Sequence, residues 1–336
     1  MFRILKNIFK DREIDLVNPT FIGIGTSRSG TTWLARQLQK HPDVFLPRKQ
    51  VHYFDREPNY PSASHLSIEK LYERVNSYVD GAIEWRNRVG VFLENQLGDK
   101  SLLDELQKNL KENQSIEDFL QSKENFKGLL ANKSGLEYFF GNYNDAWYKS
   151  LFKTEKKVSG EITPSYCMLD EKDVKKVKDL LPDVKIIYIM RNPVDKAWSS
   201  FKFKLKNENI NVDDLTHDEI VNHFNNKQIP LRDDYIRTLN NWEKYFDKSQ
   251  MLVLFFDEIK SNPKSFFKKV CDFLDIDFYD TGILEERINS TNEYQMPVDI
   301  QNILYEKYKN QILYVQNRFG GYSENWNINI KEKQYT

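Results

Sequence analysis

Eight consecutive residues, GTSRSGTT from Gly25 to Thr32, combine two glycines, five hydroxyls and one arginine. Residues of these types in this order bind an anion. Glycines let the backbone turn tightly, successive amides point inward, and the N-terminus of a following helix adds the positive end of its dipole. Gly25 and Gly30 have the spacing of the phosphate loop GxxxxGK[ST], but Thr31 stands where that loop carries its lysine. The cation has moved to Arg28, whose planar fork can grip phosphate oxygen at two points. A magnesium-dependent nucleotide hydrolase is therefore disfavoured. A tight strand-to-helix turn accounts for the glycines, but not for Ser27, Arg28, Ser29, Thr31 and Thr32 together. A second block, IIYIMRNPVDKAWSSFKF, puts Arg191 at the end of an apolar run and Ser199 about two helical turns along. Both can converge on one phosphate at the carboxyl edge of a sheet, where open α/β folds bind ligands.

The elements that must carry these residues are legible. FIGIG at 21, VKIIYIM at 184 and MLVLFF at 251 read as buried parallel strands, with KKVSGEI at 156 and DVFLP at 43 as weaker ones. Helical patterns separate them at residues 30–40, 172–181 and 193–207 and along the stripe Tyr235, Leu239, Trp242 and Phe246. Ser261 is expected to cap a further helix that has Pro263 in its first turn, and residues 297–317 form another, ending at Gly320 and Gly321. Strands alternating with helices predict an α/β fold, a P-loop-type doubly wound parallel sheet flanked by helices. From Asp55 to Trp147 the chain turns polar, with helical spacing at Ile68, Leu71, Val75 and Val79 and again at Leu102, Leu103, Leu106 and Leu110. We read residues 1–336 as a single domain: an α/β core at 20–55 and 147–280, a mainly helical insertion at 56–146 suited to an acceptor lid, and a C-terminal loop and helix at 281–336.

The 49 basic and 50 acidic residues leave a net charge of −1, which argues against electrostatic binding to nucleic acid. Cys167 and Cys271 form neither a CxxC nor a Cys/His cluster, so no disulfide framework or zinc site is expected. The N-terminal stretch MFRILKNIFKDREIDLVNP lacks a long apolar region, and no window suits a membrane span. A cytoplasmic protein without stable membrane insertion is the expectation.

The run TSRSGTTWL resembles the 5′-phosphosulfate loop of the sulfotransferases that use 3′-phosphoadenosine 5′-phosphosulfate, PAPS, and Arg191, Pro193 and Ser199 resemble that family's 3′-phosphate motif. LPRKQVHYFD, GEITPSYCML and FFDEIKSNPKSFFKKVCDFLDI resemble further blocks of its carbohydrate branch, which includes heparan sulfate sulfotransferases and bacterial relatives. The resemblance covers residues 20–55 and 147–280, not the insertion.

It implies transfer of a sulfonyl group from PAPS to a hydroxyl or amine of an acceptor, a carbohydrate by branch, releasing adenosine 3′,5′-bisphosphate. No metal is required. Thr26, Ser27, Arg28, Ser29, Gly30, Thr31 and Thr32 would hold the 5′-phosphosulfate, Trp33 would lie near the adenine, and Arg191 with Ser199 would anchor the 3′-phosphate. The general base of that branch is a glutamate, and Gln50 occupies its position here. Three readings follow: His52 as base with Gln50 orienting the acceptor, which we prefer; Glu161 as a second carboxylate; or a catalytically silent binder of PAPS or the bisphosphate. A small-molecule kinase on the same fold is the rival enzyme. Ile162 replaces a lysine of the family pattern, with Lys49 or Arg48 as possible substitutes, and Arg287 or Asn289 could reach the nucleotide.

Overall fold

The computed structural model describes residues 16–48, 50–57, 60, 144–286 and 294–326. The chain divides into two compact units, residues 1–17 with 63–153 and residues 18–62 with 154–336. In the first, helix α2 (Asp145–Ser150) is capped by Asn144, whose side chain accepts from the Trp147 amide. The helical spacing expected over residues 68–110 lies outside the described residues.

The second unit is built on strands β1 (Phe21–Gly25), β2 (Val44–Phe45), β3 (Val158–Ile162), β4 (Lys185–Met190) and β5 (Met251–Phe255), in the order β2-β3-β1-β4-β5. Every pairing is parallel. All five expected strands are present, and β1, with the phosphate loop at its end, is central. Ile186 to Met190 are at most 1% exposed, so both faces of the sheet are covered. That is why β4 reads as an unbroken apolar run rather than an alternating one.

Helix α1 (Thr31–Lys40) follows β1, α3 (Glu171–Leu180) precedes β4, and α4 (Pro193–Asn207) follows it. Helices α5 (His217–Phe224) and α6 (Tyr235–Glu243) lead into β5; α7 (Phe256–Ser261), α8 (Pro263–Leu274) and α9 (Val298–Phe319) come after it. On one face, Trp33, Leu34 and Leu38 of α1 and Phe266, Phe267, Val270 and Leu274 of α8 form a core with Phe21, Ile187 and Ile189. On the other, Tyr188 meets Tyr235 of α6 edge to face. Burial of this apolar surface is the main source of stability. The cap of α8 differs from the expectation. Ser261 ends α7, and Asn262 caps α8 by accepting from the Ser265 amide, because Pro263 at the first helical position leaves the preceding residue to cap. Beneath α4, fully buried Lys196 pairs with Asp233, which also accepts from the Tyr308 hydroxyl at 2.8 Å. A buried cation so partnered fixes where α4 starts. No helix among the described residues is long and apolar enough to cross a membrane.

Candidate functional site

The loop after β1 is shaped by backbone that few residues tolerate. Gly30 has φ 85°, and a Cβ there would lie 2.4 Å from Ile259 Cδ1 and 3.0 Å from Phe256. Arg28 itself lies in the left-handed region, at φ 65°. Gly30 stands at the start of α1, where no side chain caps the first-turn amides. They remain directed at the loop, an arrangement that attracts anions. Thr26, Ser29 and Thr31 are buried, and Ser29 Oγ makes no hydrogen bond among the described residues. Ser27, Arg28 and Thr32 are partly exposed along the same turn.

The two phosphate motifs meet. Arg28 Nε donates to Ser199 Oγ at 3.0 Å, and Arg191 Nη1 donates to the Arg28 carbonyl at 2.8 Å. Arg191 is held from behind by Tyr235, whose hydroxyl donates to the Arg191 carbonyl at 2.6 Å, and its guanidinium lies 4.6 Å over the Phe256 ring. Arg191 Nε is buried with no hydrogen-bond acceptor among the described residues. Burial and the nearby Arg191 charge push the Arg28 guanidinium below its ordinary value, and burial does the same to Arg191. Two like charges in a partly desolvated site repel each other. An anion bound between them relieves that repulsion and supplies the missing acceptor.

A second cluster forms on residues 50–55. Glu161 on β3 and Thr163 both accept from the Val51 amide at 3.0 Å, and the Tyr166 hydroxyl accepts from the Tyr53 amide at 2.8 Å. Held on both sides, His52 adopts φ 58°. Left-handed backbone at a non-glycine residue costs about 1–3 kcal/mol and persists where neighbours impose it. His52 Nδ1 lies 2.9 Å from Asp55 Oδ2, and Nε2 lies 3.0 Å from Gln50 Oε1. The Ser165 hydroxyl donates to the same Asp55 oxygen. Asp55 is fully buried. The Asp55 carboxylate accepts from Nδ1–H, the tautomer that leaves Nε2 as the acceptor nitrogen with the Gln50 amide alongside it. The cluster shares the sheet edge with the phosphate loop. Thr163 N donates to the Gly23 carbonyl at 2.8 Å, and a Cβ on Gly25 would lie 2.8 Å from the Pro164 carbonyl, one residue before Ser165.

Two expected residues stand elsewhere. Trp33 is 4% exposed, meets Phe266 and Phe267 edge to face, and donates its indole N–H to the Leu284 carbonyl at 3.1 Å. It packs α1 on the core and does not present an open face to an adenine. Glu161 is fully buried, and besides Val51 N it accepts from the hydroxyls of Thr163 and of Tyr166, the latter at 3.1 Å. It braces the 50–55 segment instead of facing an acceptor. Ile162 is buried against Gly23, and Arg48 Nε donates to the Gln50 carbonyl at 3.2 Å. Lys49, Arg287 and Asn289 lie outside the described residues.

Sequence reasoning missed Asp55, Ser165 and Tyr235. The His-x-x-Asp spacing of His52 and Asp55 was a usable signal. Ser165 lay inside the GEITPSYCML block without a role assigned to it, and Tyr235 carried no signal beyond its helical stripe, because their roles depend on contacts between distant segments.

Residues 19–280 match the sulfotransferase family. The chain belongs to that family. Similar proteins include the membrane-associated sulfotransferase kil1 of Dictyostelium discoideum, 25% identical over 323 residues that cover 88% of this chain and 64% of that protein. Heparan sulfate glucosamine 3-O-sulfotransferase 6 of Mus musculus is 28% identical over 148 residues, 41% of this chain and 42% of that one. The chain thus spans under two thirds of these relatives. A crystal structure of a sulfotransferase from Alicyclobacillus acidocaldarius shares the fold, with TM-score 0.54, 18% identity, and coverage of 93% of this chain and 99% of that one. For this sulfotransferase-family chain, the α/β fold is what the solved structure shares.

Proposed function

We propose that the protein transfers a sulfonyl group from PAPS to a hydroxyl or amine of a carbohydrate acceptor by in-line displacement. PAPS supplies the sulfonyl group and leaves as adenosine 3′,5′-bisphosphate. The observation that carries the donor assignment is the hydrogen-bonded link Ser199–Arg28–Arg191, which joins the two phosphate motifs into one cationic site. Buried Ser29 Oγ and Arg191 Nε, without partners among the described residues, fit a ligand rich in acceptor oxygens.

In this reading Arg28 and the first amides of α1 hold the 5′-phosphate and neutralise the charge that develops on it as the S–O bond breaks. Arg191 and Ser199 hold the 3′-phosphate, the group that separates this donor from ATP. His52 takes the acceptor proton at Nε2, while Asp55 keeps the opposite proton on Nδ1 and fixes the ring. Gln50 cannot serve as a base. Its amide beside Nε2 orients the ring and the incoming hydroxyl. The carbohydrate acceptor is supported by the likeness to heparan sulfate sulfotransferases. A cytoplasmic location is supported by two buried, unpaired cysteines, Cys167 and Cys271.

Thermal shift tests the donor. Adenosine 3′,5′-bisphosphate is expected to stabilise the protein more than AMP, ADP or ATP with magnesium at equal concentration. Equal or greater stabilisation by ATP with magnesium would replace this reading with that of a kinase. Labelled PAPS with a panel of glycans and small alcohols then tests the acceptor.

A further inference from the structure

We propose that Lys202 is the third cation of the phosphate site and adds to the preference that Arg191 and Ser199 give it for a nucleotide carrying a 3′-phosphate. The inference rests on the donor reading above and adds to it a residue of the second block that the Arg191, Pro193 and Ser199 pattern does not use.

Arg28 lies along one strip of α4. Its Nε is bonded to Ser199 and its guanidinium sits 4.7 Å over the ring of Phe203. Helical residues three and four apart share a face, so Ser199, Lys202 and Phe203 form one surface and Lys202 rises from the strip that Arg28 crosses. Its ammonium is within range of both guanidinium charges. After burial, Arg191 and then Arg28 are what push the Lys202 ammonium below its ordinary value. Lys202 Nζ reaches the Tyr294 carbonyl at 3.5 Å, the long limit of a hydrogen bond. It also borders a cleft of about 470 Å³ with Lys206, Asn209, Asn211, Asp213 and Tyr294, a lining that includes none of Arg28, Arg191 and Ser199.

The fold decides which phosphate it faces. The 5′ end of the donor belongs to the loop amides and Ser29, whereas Lys202 belongs to the helix that carries Ser199 and begins beside Arg191. Arg191 already spends Nη1 on the Arg28 carbonyl. A phosphate monoester carries close to two negative charges at neutral pH, and a second nearby cation on that side matches them. Lysine supplies a compact charge on a flexible stem, suited to pairing with a phosphate.

Calorimetric titration of adenosine 3′,5′-bisphosphate and of AMP into wild type, Lys202→Ala and Lys202→Arg tests the assignment. Lys202→Ala is expected to weaken the bisphosphate about tenfold or more while AMP changes less than twofold, and Lys202→Arg should recover most of the loss. Unliganded melting temperatures report folding, and the partly exposed position predicts no change in them. An equal loss for both nucleotides, or no loss for either, would overturn the role of Lys202 while leaving the donor reading intact. A wild type that binds both nucleotides equally would overturn the donor reading and this inference with it.

Discussion

Arg28 and His52 both adopt left-handed backbone, yet the structure holds them by different means. The loop around Arg28 is fixed at both ends by regular elements, β1 before it and α1 after it, with Arg191 and Ser199 arriving from β4 and α4. The segment around His52 belongs to no helix or strand. It hangs from β3 and the turn after it by Val51 and Tyr53 amides donated to side chains of Glu161, Thr163 and Tyr166. A phosphate cradle built from main-chain amides needs rigid element ends, because its donors cannot re-aim one by one. A proton acceptor needs only one ring aimed correctly, and two or three side-chain bonds suffice for that. The two regions should therefore respond differently to substitution, one through ligand affinity and the other through rate.

The largest effect is expected from Arg28→Ala. Removing the loop cation should lower kcat/KM on the order of 10³-fold, in line with the loss of a transition-state donor, and weaken the bisphosphate by titration. A variant with wild-type kcat/KM would remove the distinction between the cradle and a passive turn. Next, His52→Ala should lower kcat by about 10²–10³-fold with bisphosphate affinity within about twofold, since general-base contributions fall in that range. Full activity in that variant would return the base to the acceptor itself. In a parallel measurement, Gln50→Glu is expected to raise the residual activity of His52→Ala, because it places a carboxylate beside the position of the lost imidazole. The smallest effect should be that of Glu161→Gln. Its carboxylate holds the segment without facing the acceptor, so unfolding should show a loss of about 1–3 kcal/mol from disturbed buried hydrogen bonds. A fall in kcat as large as that of His52→Ala, with unchanged stability, would make Glu161 catalytic and merge the two regions into one.

Much of this was readable in the chain. Five strands and most helices follow from apolar runs and helical spacing, because a sheet covered on both faces forces unbroken apolar strands. The Gly25 to Thr32 loop and the Arg191 to Ser199 block were legible because each is local: the residues that do the work lie within about two turns of one another. The surroundings of Trp33 were not legible for the opposite reason. Its neighbours Phe266, Phe267 and Leu284 come from far along the chain, and whether an indole faces a ligand or a core depends on them. The cap of α8 moved from Ser261 to Asn262 because one residue of offset depends on where α7 stops.

What the sequence by itself determined is the anion-binding chemistry: glycines that permit the turn, hydroxyls, a loop arginine in place of the lysine, and a second arginine at a strand end. Only the tertiary structure decided that Arg28 reaches Ser199 and Arg191, that Asp55 rather than Glu161 faces His52, and that Lys202 joins the two arginines. The physical reason is range. Backbone turns and helix faces are set by neighbours a few residues away, whereas hydrogen bonds and charge between side chains depend on separations in space, which exist only once the sheet has brought distant segments to a common edge.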